Sequence, residues 1–198
     1  VALIDGSSVT AIRTGAASGL ATHYLSKPNS KKAVVFGNGA QAKTQIEAIQ
    51  SVRNLEEVLV IGRDPDKVQS FCEQFETKVA PGQIDDLKKA DIICTATSSS
   101  EPLFDFANIS KGTHINAVGA HGKTKRELPT ELIQSSKVYV DSLSSSQVEA
   151  GNLLIPIERG EYEWSLVEGE IGSFIESNTK ISDHESNITV FSSVGSAV

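Results

Sequence analysis

The sequence predicts an α/β protein: a Rossmann-type, doubly wound parallel sheet preceded by a connecting strand and helix. Three observations carry this reading. Short apolar runs alternate with segments whose apolar residues recur at helical spacing along most of the 198 residues, which means βαβ crossovers and a parallel sheet covered on both faces. A glycine-rich turn, Gly37-Asn38-Gly39-Ala40-Gln41-Ala42, stands where the first such run meets the first such helix, and there a dinucleotide fold carries its glycines. The composition, 39% hydrophobic and 22% charged, is enough to bury a sizeable core in one domain or slightly more.

Taken in order, residues 1–4 read as a strand, Asp5-Gly6 as a turn and residues 8–24 as an Ala-rich helix, followed by a polar linker around Pro28. The run KAVVF at 32–36 is the first strand of the sheet, and Ala42, Ile46, Ala48, Ile49 and Val52 mark a helix over 41–52. VLVI at 58–61 is the second strand, and Pro65 takes the first position of a helix carrying Val68, Phe71, Cys72 and Phe75 on one face. A third unit has a strand at 77–79, a brief helix at 84–90 and the strand DIICT at 91–95. Strands at 114–118 and 138–140, helices at 128–134 and 145–154, and a last strand at 188–191 complete the series. Tyr162 and Trp164 are expected to cover the core, Glu168 and Glu170 to form a solvated edge, and His114 to be a satisfied core or edge histidine.

Charge and composition exclude several classes. The net charge of −7 argues against binding a nucleic-acid backbone or an anionic membrane, and no apolar stretch has the length of a membrane span. Two distant cysteines, Cys72 and Cys94, fit reduced thiols in a cytoplasmic protein better than a disulfide framework, and no cluster of ligand residues supports a metal. The chain begins at Val1 and contains no Met, as expected of a piece of a longer protein.

The glycine motif carries the chemistry. Gly37 permits the tight turn, Gly39 lets a pyrophosphate approach the backbone, and small Ala42 lets helix and strand pack closely. The free N–H groups from Ala40 and Gln41 onward then face the phosphates. At the tip of the second strand stands Gly62-Arg63, where an NAD-specific site would carry an acid. A guanidinium binds a 2′-phosphate bidentately, so NADP(H) is favoured and NAD(H) remains open, with Arg63 alternatively pairing Asp64 or Asp66 or stacking on the adenine. Thr95-Ala96-Thr97 and Val118-Gly119 end two further strands and should border the nicotinamide, although both threonines are also turn formers.

Eight blocks in order resemble the ornithine cyclodeaminase and mu-crystallin family: IRTGAAS at 12–18, FGNGAQA at 36–42, INAVGA at 115–120, REL at 126–128, VYVDS at 138–142, AGNLLIP at 150–156, GEIG at 169–172 and TVFSSVG at 189–195. The resemblance spans nearly the whole chain. It implies a hinge strand and helix at 1–29, an NAD(P)-binding domain at 30–190 and a return segment at 191–198, with most of the substrate and dimerisation domain outside this chain and a homodimer formed through it. It also implies hydride transfer at the C–N bond of a small amino acid or imine, by an imine or ketimine reductase or an amino-acid dehydrogenase. The alternatives are an ornithine cyclodeaminase, which converts ornithine to proline and ammonia, and a non-catalytic NADPH-dependent binding protein.

Carried over by position, Arg13 touches substrate carboxylate or cofactor phosphate, and the small residues after it (Thr14, Gly15, Ala16, Ala17) leave room for a ligand. Thr14, Val194 and Gly195 join the expected cofactor contacts. Where cyclodeaminases place a catalytic aspartate, two residues after the NAVG glycine, this chain has His121, either a general acid for an imine nitrogen or a plain loop residue.

Overall fold

The run KAVVF forms β1 (Lys32–Phe36), whose side chains alternate between two cores, as a strand covered on both faces requires. Val34 and Phe36 join Ile93, Ile115, Val138, Val140 and Val190 on one face. Ala33 and Val35 join Ile46, Ile49, Val58, Val60, Ile92 and Cys94 on the other. The computed structural model describes residues 6–76, 78–177 and 184–195, so the strand expected at 1–4 lies outside the described residues.

After α1 (Gly6–Leu25), β1 leads through α2 (Ala40–Val52) to β2 (Glu57–Ile61) and through α3 (Pro65–Cys72) to β3 (Val79–Pro81). Pro65 opens α3, as expected, and the Asp64 side chain caps it by accepting from the Lys67 N–H at 3.2 Å. A 3-10 turn (Ile84–Lys89) precedes β4 (Ile92–Thr95), and a second (Phe106–Asn108) precedes β5 (His114–Ala117). Next come α4 (Thr130–Gln134), β6 (Ser136–Val140), α5 (Leu143–Glu149), α6 (Gly151–Glu158), β7 (Val167–Glu170), α7 (Ile171–Glu176) and β8 (Ile188–Ser192). The sheet runs β3-β2-β1-β4-β5-β8-β6-β7, every neighbouring pair being parallel. Successive crossovers from β1 go first toward β3 and then, from β4, to the other side. The strand order therefore reverses between β1 and β4, where a doubly wound sheet opens its ligand crevice.

Four expectations are corrected. The third strand lies two residues later than expected, at 79–81, and Thr77 is outside the described residues. The single helix expected at 145–154 is two, because Ala150 leaves helical geometry (φ −79°, ψ 81°) and the chain turns to pack Gly151 against the backbone carbonyls of Gly122 and Lys125. The stretch after Tyr162, in which no element was expected, holds an edge strand, β7, followed by the helix α7. Glu168 is exposed on that edge, as expected, whereas Glu170 is half-buried and its Oε1 accepts the Leu143 N–H at 2.7 Å, at the start of α5. Tyr162 is buried in the first core and Trp164 packs against it.

Helix α1 is fastened to the domain along one face and at its C-terminus. Gly15 and Gly19 let it approach α2 so closely that an added Cβ would stand 2.8 Å from the Thr44 carbonyl and 3.3 Å from the Ala48 Cβ. The space that the small residues were expected to leave for a ligand is thus, at Gly15, filled by α2. At its C-terminus, the Arg53 Nη2 donates to the carbonyls of Thr22 (2.9 Å), His23 (2.8 Å) and Ser26 (3.1 Å), which gives the helix's last carbonyls a cation.

Candidate functional site

At the crevice between β1 and β4, the chain leaves β1 through Gly37 with φ +107°, a conformation that favours glycine, and a Cβ there would meet the Ala96 carbonyl at 2.6 Å. Gly39 differs. Its backbone (φ −101°, ψ −172°) suits any residue, and nothing lies within 4 Å of where its Cβ would be. Neither conformation nor packing among the described residues calls for glycine at that point, so the requirement points to something that approaches from outside. Gly39 caps α2, which has no side-chain cap and no acidic residue in its first turn, so its leading N–H groups face the crevice without a carboxylate to compete. The Gln41 Oε1 in that first turn is buried and has no hydrogen-bond partner among the described residues. Ala42 is fully buried against the sheet, as close packing of helix and strand requires.

The crevice is a cleft of about 760 Å³, and Gly37, Gly39, Ala40 and Gln41 form one wall of it. Gly62 and Arg63 stand at one end, with Ile84. Arg63 is exposed and makes no ion pair among the described residues, because Asp64 caps α3 and pairs with the Lys67 Nζ at 3.3 Å. Ala96, Thr97, Val118 and Gly119 form the opposite wall, with exposed His121 on its rim. A volume of this size and a lining of backbone, small residues and few charges fit an extended, phosphate-bearing ligand. No group of three or more His, Cys, Asp or Glu positioned to hold a metal occurs among the described residues.

Five expected site residues do not line this cleft. Thr95 is fully buried and donates its hydroxyl to the Glu127 Oε2 at 2.8 Å. Thr14 is buried against α2, and its carbonyl accepts from the Gln45 Nε2 at 3.4 Å. Arg13 is half-buried beside Gly195, its Nη2 standing 3.1 Å from where a Gly195 Cβ would be. The Val194 and Gly195 N–H groups both donate to the Asp141 Oδ2, at 3.1 and 2.9 Å, as does the Ser193 hydroxyl at 2.7 Å. Arg13 and Gly195 therefore form a second locality, at the end of β8.

Two acids that sequence reasoning passed over support these localities. Asp141 holds the turn after β8. Glu127, fully buried in the loop between β5 and α4, accepts from the Thr97 N–H (2.7 Å), the Thr97 hydroxyl (2.8 Å), the Thr95 hydroxyl (2.8 Å) and the Gly119 N–H (3.0 Å). Burial pushes its carboxyl above the usual range, opposed by these four hydrogen bonds. Each acid sits in a block already noted as a resemblance, REL or VYVDS, and that is the one signal that could have found it. Fully buried His114, as expected, is a satisfied core histidine, between the Thr189 Oγ1 (2.9 Å) and the Asn116 Oδ1 (3.1 Å).

The profile of the ornithine cyclodeaminase/mu-crystallin family matches residues 1–198. A Delta(1)-pyrroline-2-carboxylate reductase of Bacillus cereus is 38% identical over 205 residues, covering all of this chain and 63% of that protein. The chain thus spans less than two thirds of that relative's length. The Thermococcus litoralis Delta(1)-pyrroline-2-carboxylate reductase, solved in complex with NADH and L-proline, is similar with a TM-score of 0.93 and 36% identity, over 98% of this chain and 62% of its own. An archaeal alanine dehydrogenase dimer with bound NAD gives a TM-score of 0.90 and 30% identity, over 96% of this chain and 60% of its own. A match over every residue, carried by a parallel sheet that superposes this closely, makes the chain a member of the ornithine cyclodeaminase/mu-crystallin family.

Proposed function

We propose that the chain is the nucleotide-binding part of an NAD(P)H-dependent reductase of a small C=N substrate, a 2-imino acid or a cyclic ketimine such as Delta(1)-pyrroline-2-carboxylate. The observation that carries this reading is Gly39, whose missing side chain leaves open space at the start of α2 that none of the described residues fills. When bound, the nicotinamide supplies a hydride to the imine carbon. The leading N–H groups of α2 hold the pyrophosphate. Arg63, unpaired among the described residues, binds the 2′-phosphate, which makes NADP(H) the preferred cofactor over NAD(H). Ala96, Thr97, Val118 and Gly119 flank the nicotinamide. His121, exposed on the rim, gives its proton to the imine nitrogen as the carbon receives the hydride, so the amine leaves neutral. Arg13 binds the substrate carboxylate as a charge-assisted pair.

The rest of the reading follows the family. Residues 1–29 and 191–198 connect to a substrate domain, 30–190 form the nucleotide domain, and the protein is a homodimer, as the alanine dehydrogenase is. Cys72 and Cys94 are buried and unpaired, which fits a reducing, cytoplasmic setting. The test is to assay the full-length protein for NADPH oxidation with a cyclic ketimine and, separately, for proline formation from ornithine. Ketimine reduction that His121→Gln diminishes supports the reading. Proline formed from ornithine without net use of added cofactor, and no ketimine reduction, overturns it.

A further inference from the structure

The sheet's hydrogen-bond ladder stops at the cleft, and a single carboxylate continues it. The last rungs there are the Val118 N–H donating to the Thr95 carbonyl and the Ala96 N–H donating to the Phe36 carbonyl, both at 2.9 Å. Beyond them, the Thr97 and Gly119 N–H groups have no strand to donate to, and both donate to Glu127, one to each carboxylate oxygen. The two threonine hydroxyls fill the remaining acceptor sites. Gly119 lies so close that a Cβ there would collide with the Thr97 backbone and the Glu127 Oε1.

The loop that carries Glu127 is itself fixed. The buried Asn152 Oδ1 accepts the N–H groups of Glu127 (2.8 Å) and Leu128 (3.1 Å), and the Gly122 N–H donates to the Glu149 carbonyl at 2.9 Å. The break between α5 and α6 brings Asn152 and Gly151 against this loop. Burying a carboxylate with hydrogen-bond donors and no cation is costly, and a neutral amide could not replace it. In either orientation, the NH2 of a glutamine would face one backbone N–H, of Thr97 or of Gly119, and leave it without an acceptor.

Building on the function proposed above, we propose that Glu127 is the positioning residue that sets the spacing of the Thr97 and Gly119 strand ends within that one cleft wall, and so seats the nicotinamide half of the dinucleotide without touching it. The adenosine diphosphate half, seated on the start of α2, does not depend on it. Calorimetric titration of the full-length protein with NADH and with ADP-ribose, which lacks the nicotinamide, separates the two. In Glu127→Gln, the Kd for NADH should rise about tenfold while that for ADP-ribose stays unchanged, and the fluorescence of bound NADH should move toward that of the free cofactor. Thr95→Val removes one donor to Glu127 from a fully buried position that no ligand reaches, and should give a smaller loss in the same direction. This second variant carries the test if the first does not fold. Equal weakening of both ligands, or of neither, overturns the role of Glu127 alone. Failure of the unmodified protein to bind either ligand overturns the functional reading and this one with it.

Discussion

Replacing His114 by Gln should remove a large part of the protein's acid sensitivity. The ring is fully buried, and burial is the main reason its pKa is pushed down from 6.5 to about 3; the Asn116 hydrogen bond acts upward, and the positive charges of Arg53 and His184 act downward. Because the folded value lies below the unfolded one, the unfolded chain takes up the proton first as the pH falls. The contribution is therefore intact above about pH 6.5 and is lost progressively between 6.5 and 3. At about pH 4 the loss is roughly 3 kcal/mol, a large share of the 5–15 kcal/mol typical of a folded domain. Urea denaturation of the full-length protein at pH 7 and pH 4, in both forms, measures it. The variant should lose about 3 kcal/mol less stability than the parent over that interval. Asp91, whose pKa is lowered by Lys27 and by the backbone N–H groups of Lys31 and Lys32 despite its burial, also weakens the fold in acid, but equally in both forms. The same loss in parent and variant would refute the linkage.

Three further outcomes are expected. Arg63→Ala should abolish a preference for NADPH over NADH of roughly tenfold to a hundredfold, read from the two dissociation constants, with little change for NADH. Gly119→Ala should destabilise the fold by about 1–3 kcal/mol in thermal or chemical melts, since its Cβ would overlap the Thr97 backbone. Arg53→Ala should cost about 2–4 kcal/mol in the same melts by stripping the end of α1 of its donors, and Arg53→Lys, which cannot span the same carbonyls, should restore only part of it.

What was legible in the sequence was local. β1, the glycine turn and α2 follow one another within 21 residues, and their signals are periodicity and turn chemistry. The start of α3 was likewise written in Pro65, although the capping role of Asp64 was not read. What was missed depends on contacts between distant residues. Glu127 reaches Thr95 and Thr97 across about thirty residues of sequence, and a lone acid in a polar loop looks like any solvated one. The break at Ala150 coincides with the pairing of residues 149–150 with the distant 121–122 loop, while the helical spacing of 145–154 continues through it. β7 escaped notice because an edge strand of the form VEGE has almost no apolar alternation. The placing of β8 between β5 and β6 belongs to topology, which a run of apolar residues does not encode.

The proposed site seats a dinucleotide over Gly39 with its pyrophosphate on the start of α2. Its most direct test is a titration of the full-length protein and its Gly39→Val variant with NADPH, with a melting curve for each. The backbone at φ −101° and ψ −172° suits valine, and a Cβ there meets no atom of the described residues within 4 Å, so the variant should melt as the parent does. It should nevertheless bind no NADPH at concentrations that saturate the parent. A Gly39→Val protein that binds NADPH as tightly as the parent would rule out a pyrophosphate at this position.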